Sequence, residues 1–99
     1  MQQIEQVPAE AWQQWVTRTG GVIVDVREPW EWQSTGVLPD AVTISLGDLQ
    51  QVLDRYQTEK PILVVCRSGN RSQTAAEYLA RAGYSNIANL AGGILALAA

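Results

Sequence analysis

The 99-residue chain contains no histidine and only one cysteine, and both scarcities exclude whole classes of site. One cysteine cannot form an internal disulfide, and the chain lacks the soft ligands of a Cys₄ or Cys₂His₂ zinc site. Without histidine, Ser-His-Asp and Cys-His nucleophile pairs are also excluded. Any chemistry must therefore rest on carboxylates, arginines, hydroxyls, backbone amides or the single thiol.

Positive charge and long apolar runs are scarce as well. The net charge is −3, which offers nucleic acid no electrostatic attraction. The longest apolar stretch, residues 94–99, is far shorter than the roughly 20 residues that span a bilayer. The first residues lack the basic and apolar segments of a signal peptide. We therefore expect no nucleic-acid or membrane partner, and a cytoplasmic location.

Apolar runs and turn residues divide the chain into alternating elements of one predicted domain, residues 1–99. Hydrophobic residues make up 46% of the sequence, which is enough for a core at this length. Nearly continuous apolar runs predict strands that are covered on both faces, and their alternation with helices predicts an α/β fold with a mostly parallel sheet. The predicted strands lie at 22–26, 41–45, 62–65 and 87–90. Of the predicted helices, the first opens at 7–10, the second has Asp48 in its first turn, and the third spans 73–81.

The single cysteine occupies a position suited to chemistry. Cys66 follows the strand at 62–65 and precedes the helix at 73–81, at the sheet edge where open α/β sheets bind ligands. Small residues in between allow successive backbone N–H groups to turn inward, and such a nest at a helix N-terminus binds an anion. The small residues are Ser68, Gly69 and Asn70, between Arg67 and Arg71, and Ser72 is an N-cap or first-turn residue of the helix.

This loop favours the thiolate of Cys66. An unperturbed cysteine has a pKa of ~8.5, so only about 3% is ionised at pH 7, whereas a depression of about two units ionises roughly three quarters. Arg67 and Arg71 add positive charge beside the thiol. A general base is then unnecessary, which matters in a chain without histidine. The alternative, that Cys66 is a buried packing residue, does not account for the polar loop after it.

Several segments resemble the single-domain rhodanese-like sulfurtransferases in order and spacing. They are VDVREPWE at 24–31, CRSGNRS at 66–72, LARAGY at 79–84 and LAGGI at 90–94. The resemblance covers nearly the whole chain. It implies a five-stranded, mostly parallel sheet flanked by helices on both faces.

The resemblance also implies a reaction. Cys66 would accept sulfane sulfur as a persulfide and pass it to cyanide or a thiol, including a protein thiol. Backbone amides of residues 67–72 would hold the outer sulfur, and Arg67 and Arg71 would attract an anionic donor such as thiosulfate. We expect no metal or organic cofactor. Asp25 and Arg27, at the end of a core strand, are candidates for supporting the site, with a purely structural pairing as the alternative.

The chain departs from the family pattern outside the loop. The usual Gly-His-Ile-Pro-Gly-Ala reads GVLPDA at 36–41, and Leu97 replaces a common tryptophan. The missing histidine is generally structural in the family. We therefore expect these departures to affect substrate access more than chemistry.

Two other functions fit part of the pattern. Cysteine phosphatases also combine a cysteine, an arginine and an amide-lined loop, but they use Cys-x₅-Arg, whereas Cys66 and Arg71 form Cys-x₄-Arg. The tighter loop suits a single sulfur better than a phosphate. A persulfide carrier or sulfur-sensing module, delivering to a protein partner, would use the same Cys66 chemistry, and the sequence does not separate it from an enzyme.

Overall fold

A computed structural model describes residues 4–97 of the chain. Residues 1–3, part of the segment searched for a leader, and residues 98–99 of the apolar tail lie outside the described residues. In the described part of the chain, five strands form one sheet in the order β1-β5-β4-β2-β3, and every neighbouring pair is parallel. The predicted α/β class is therefore confirmed. The strands are β1 (Glu5–Val7), β2 (Val22–Asp25), β3 (Val42–Thr43), β4 (Ile62–Val65) and β5 (Ile87–Leu90).

Helices cover both faces of the sheet. Residues of α3 and α4 join one buried cluster, and residues of α1 and α5 join a second cluster on the opposite face. None of the helices within residues 4–97 has the length and apolar character needed to cross a bilayer. The helices are α1 (Trp12–Thr19), α2 (Pro29–Thr35), α3 (Gln50–Arg55), α4 (Asn70–Arg81) and α5 (Gly93–Leu97).

The central strand β4 determines where Cys66 points. All four of its side chains are buried, as its apolar run predicts. Side chains alternate between faces, so Ile62 and Val64 pack against the α3–α4 side while Leu63 and Val65 pack against the α1–α5 side. Cys66 continues the first series and belongs to the cluster beneath α4.

The residue pattern alone missed β1, and its prediction that a helix opens at residues 7–10 is wrong at the first residue. Val7 ends β1, and a 3₁₀ turn at Ala9–Ala11 precedes α1. β1 has three residues, of which only Val7 is buried, so it shows no apolar alternation. Its place is fixed by pairing with β5, far away in sequence.

The helix predicted at 73–81 begins earlier, because α4 starts at Asn70. The turn into it is made by Gly69, whose φ of 102° lies in the left-handed region. A Cβ at Gly69 would lie 3.2 Å from the backbone nitrogen of Gly92. The loop after Cys66 is therefore short, and Ser72 falls within the first turn of α4.

The packing of α4 is testable by a matched pair of leucine substitutions. Leu79 of α4 is fully buried, whereas Leu95 of α5 is 50% exposed. We expect Leu79→Ala to lower the free energy of unfolding by about 2–5 kcal/mol, because it leaves a cavity in the core. Leu95→Ala should change it by less than about 0.5 kcal/mol. Equal urea-unfolding midpoints for the two variants would contradict this packing.

Candidate active site

Hydrogen-bond donors surround the Cys66 sulfur. The backbone N–H of Gly69 donates to Sγ at 3.1 Å, and the N–H of Ser72 donates at 3.3 Å. The Ser72 hydroxyl oxygen lies 3.2 Å from Sγ. Both Cys66 and Ser72 are fully buried. The short turn and the first turn of α4 thus form a cradle in which amides converge on one sulfur atom.

The cradle changes the acidity of the thiol. Burial raises the pKa of Cys66, but hydrogen bonds from the Ser72 hydroxyl and from the N–H groups of Ser72, Gly69 and Ser68 outweigh it, and the net pKa is lowered. This is the direction that the sequence predicts. The donors are three backbone amides and one hydroxyl. They outweigh the effect of burial because dipoles act strongly on a charge in the low dielectric of a buried site.

Helix α5 is attached to the loop by two backbone hydrogen bonds. The N–H of Ile94 donates to the Cys66 carbonyl at 2.9 Å, and the N–H of Leu95 donates to the Arg67 carbonyl at 3.0 Å. Gly93, with a φ of +64°, makes this approach feasible, because a Cβ there would overlap the Arg67 carbonyl. The double glycine in the sequence therefore lets α5 lie directly on the loop.

Arg71 is engaged by a carboxylate. Its Nη1 and Nη2 atoms donate to Oε1 and Oε2 of Glu31 at 2.7 and 2.9 Å. Glu31 is buried in the first turn of α2, and its Oε1 also accepts the N–H of Glu28 at 3.0 Å. The Arg71 hydrogen bond is the main reason why the pKa of Glu31 falls from 4.5 to about 2. The pair joins the start of α4 to the start of α2.

Asp25 and Arg27 form a buried ion pair where β2 ends. Arg27 Nη2 lies 2.8 Å from Asp25 Oδ2. The guanidinium also donates to the Thr35 hydroxyl at 2.8 Å and to the Gly36 carbonyl at 2.7 Å. These contacts fasten the end of α2 to β2. They are the contacts of the structural alternative that the sequence left open.

The remaining predicted binding residues lie on the outside of the loop. Arg67, Ser68 and Asn70 are exposed. Within residues 4–97 Arg67 forms no ion pair. It borders a cavity of about 280 Å³, together with the apolar side chains of Trp30 and Leu95. Arg67 is thus the arginine of this loop that remains available to an anion.

A larger cavity, of about 710 Å³, lies at the opposite edge of the sheet. Gly21 and Val22 line it where β2 begins, together with Trp12 and Lys60. Cys66, in contrast, follows the carboxyl end of β4. The candidate site is the cradle, because ligand chemistry in parallel sheets gathers at the carboxyl ends of the strands.

Comparison with known proteins identifies the family. Residues 8–99 match the family model of the rhodanese-like domain. The chain belongs to the rhodanese-like domain family. The sequence resemblance implies that residues 66–72 form the active loop, and this assignment and the roles of the individual residues stay a prediction.

Named relatives agree with this assignment. The thiosulfate sulfurtransferase GlpE of Pseudomonas syringae pv. syringae is 34% identical over 93 residues, which are 94% of this chain and 86% of the relative. A rhodanese-related protein from Thermoplasma volcanium has a TM-score of 0.81 at 28% identity, over 95% of this chain and 90% of that one. Reduced CoADR-RHD of Bacillus anthracis has a TM-score of 0.83 at 29% identity. That match covers 95% of this chain but only 16% of the other, so it concerns a small part of a longer protein.

Two polar residues of this rhodanese-like site were not predicted from the sequence as site residues. Glu31 is the partner of Arg71, and Asn89 lies against Ser72 from the middle of apolar strand β5. Asn89 is 3% exposed. An asparagine inside the run IANL was the available indication, because a buried amide requires hydrogen-bond partners. Within residues 4–97 no cluster of acidic or thiol side chains could hold a metal ion.

The Glu31–Arg71 pair predicts a loss of stability in acid. The carboxyl of Glu31 has its pKa near 2 when folded and an ordinary value when unfolded. The stabilisation is therefore complete above about pH 5 and is lost as the pH falls towards 2. Over that interval we expect the wild type to lose about 3 kcal/mol that Glu31→Gln does not lose. Urea unfolding from pH 6 to 2 measures this.

The control is Glu77→Gln, which removes an exposed carboxylate from α4. This variant should follow the wild-type pH dependence. If Glu31→Gln and the wild type lose stability in parallel, the pair does not contribute as described.

Proposed function

We propose that the protein is a sulfurtransferase that moves sulfane sulfur from an anionic donor such as thiosulfate to cyanide or a thiol, through a persulfide on Cys66. The observation that carries the proposal is the convergence of the Gly69 and Ser72 donors on Cys66 Sγ at 3.1–3.3 Å. Such a cradle stabilises a negatively charged sulfur. Relatives named as thiosulfate sulfurtransferases support the same class.

The reaction needs only nucleophilic sulfur. The Cys66 thiolate attacks the outer sulfur of thiosulfate, a bond forms between the two sulfurs, and the S–S bond of thiosulfate breaks. Sulfite leaves with the electron pair, and Cys66 becomes a persulfide anion. Cyanide or a thiolate then attacks the outer sulfur and leaves as thiocyanate or a new persulfide, which restores the thiolate. No proton has to be removed by a side-chain base at either step.

The fold supplies what this sequence of steps requires. Negative charge stays on sulfur throughout, so donors that are fixed before the reaction stabilise it without reorganisation. Gly69 and Ser72 provide such donors at the start of α4, where the helix dipole also favours negative charge. Arg67, exposed at the loop surface, is the group that we assign to the anionic donor.

The geometry favours sulfur transfer over phosphate-ester hydrolysis. In a cysteine phosphatase the loop arginine must face the phosphoryl oxygens. Here Arg71 directs both terminal nitrogens to Glu31, at 2.7 and 2.9 Å. A phosphate would have to break this charge-assisted pair.

A second candidate function is a persulfide carrier that delivers sulfur to a protein thiol. It is favoured by two exposed apolar side chains beside Arg67, because Trp30 is 69% and Leu95 is 50% exposed. Exposed aromatic and aliphatic groups are typical of protein-contact surfaces. Slow turnover of cyanide together with rapid sulfur uptake from a cysteine desulfurase would favour the carrier over the enzyme.

The persulfide is testable by intact mass. After incubation with thiosulfate the wild type should gain one sulfur atom, and cyanide should remove it. Because Cys66 is the only cysteine, the mass gain needs no mapping. Cys66→Ser should show neither the gain nor thiocyanate formation, while its circular dichroism and melting remain those of a folded protein. Substantial remaining activity in Cys66→Ser would exclude the mechanism.

The role of Arg67 predicts a change in donor affinity. Arg67→Ala should raise KM for thiosulfate about 5- to 30-fold, the effect of losing one charge-assisted contact of about 1–2 kcal/mol, with a smaller change in kcat. The matched control is Arg18→Ala, which removes the same charge from the last turn of α1. Equal KM values for the two variants would mean that Arg67 does not bind the donor.

A further inference from the structure

The Ser72 hydroxyl has one hydrogen and two acceptors. Its Oγ lies 3.2 Å from Cys66 Sγ and only 2.5 Å from Oδ1 of Asn89. A hydroxyl donates a single hydrogen bond. The sulfur and the amide oxygen therefore compete for the same hydrogen.

The backbone determines which atom of the Asn89 amide faces Ser72. Nδ2 lies 3.3 Å from the carbonyl oxygen of Gly69, which can only accept, and 2.9 Å from Oε1 of Gln6. Rotating the amide by half a turn would place its oxygen against the Gly69 carbonyl. The acceptor Oδ1 is thus held towards Ser72.

We propose that Asn89 is a positioning residue that draws the Ser72 hydroxyl hydrogen away from Cys66 while the thiol is protonated. In that state the S–H group donates to Ser72 Oγ, and the hydroxyl donates to Asn89. When the thiol proton leaves to solvent, the hydroxyl turns its hydrogen to the negative sulfur, because a charge-assisted hydrogen bond is the stronger one. Asn89 then loses a donor, so it opposes ionisation of Cys66.

If Cys66 acts as the proposed nucleophile, this competition affects its reactivity, and this step rests on the proposed function. A thiolate that receives every available hydrogen bond is abundant but less nucleophilic, since nucleophilicity falls together with the thiol pKa. Asn89 moves the balance back towards a more reactive sulfur. The hydrogen-bond exchange itself does not depend on the identity of the sulfur donor.

The charged groups around Cys66 lie on other elements and remain in place when Asn89 is changed. Strand β5 and helix α5 carry no ionisable side chain. Asn89 hydrogen-bonds to none of the charged side chains of the described region. The charged groups on the elements around Cys66 include Arg67 in the loop, Arg71 of α4 with Glu31 of α2, and the Asp25–Arg27 pair at the end of β2.

The test is a double-mutant cycle on the pKa of Cys66, measured from the pH dependence of alkylation by iodoacetamide. Asn89→Leu keeps the approximate size and removes the acceptor, so it should lower the pKa by about half to one unit, the effect of one hydrogen bond. Ser72→Ala should raise it. In the Ser72→Ala background, Asn89→Leu should not change the pKa of Cys66 further, because the hydroxyl hydrogen for which the sulfur and the amide oxygen compete is absent.

The Leu variant leaves the neighbouring groups satisfied. The Gly69 carbonyl still accepts the N–H of Gln73 at 3.2 Å, and Gln6 is exposed to water. A pKa raised by Asn89→Leu, or additive effects in the cycle, would overturn the proposal. A merely structural Asn89 would lower the melting temperature without producing this coupling.

If Asn89→Leu does not fold, the Asn89→Asp variant tests the proposal instead. Its carboxylate only accepts hydrogen bonds, so it should raise the pKa more in the wild type than in the Ser72→Ala background, where only the direct charge effect remains. Equal shifts in both backgrounds would overturn the proposal. Alkylation needs no sulfur donor, so failure of the persulfide experiment and failure of this cycle are separate results.

Discussion

Burial of the Cys66 sulfur is the constraint on which this structure depends. Cys66 is fully buried, so the protein itself must supply the dipoles that lower the pKa of its thiol. The parallel sheet meets this requirement because β4 ends directly beneath the first turn of α4. Gly69 and Ser72 then present backbone N–H groups that need no titratable partner. A chain without histidine can thus host a reactive thiol.

The cradle is kept in place from two sides by contacts that do not involve the sulfur. On one side the Arg71–Glu31 pair joins α4 to α2, and on the other α5 donates to the carbonyls of Cys66 and Arg67. These contacts restrict the loop through groups other than Sγ. The two loop arginines therefore have different environments: Arg71 forms an ion pair with Glu31, while Arg67 is exposed to solvent.

The sequence was sufficient for features that depend on local patterns. Apolar runs located β2, β4 and β5, and the small residues after β4 indicated an amide-lined loop at Cys66. It was insufficient where a contact joins distant residues. β1 is defined by pairing between Glu5 and Ala88, and the role of Glu31 appears only when Arg71 reaches it across the fold. Asn89 looked like one polar residue in a strand, because its relation to Ser72 exists only in three dimensions.

The contacts of α5 have a consequence for how the site is assembled during synthesis. Cys66 is synthesised before the residues that complete its surroundings, because Asn89 and Ile94 come later in the sequence. A nascent chain that stops short of residue 94 carries the cysteine without the backbone donor that holds its carbonyl. The thiol therefore acquires its final environment only after residue 94 has been synthesised and α5 has packed against the loop.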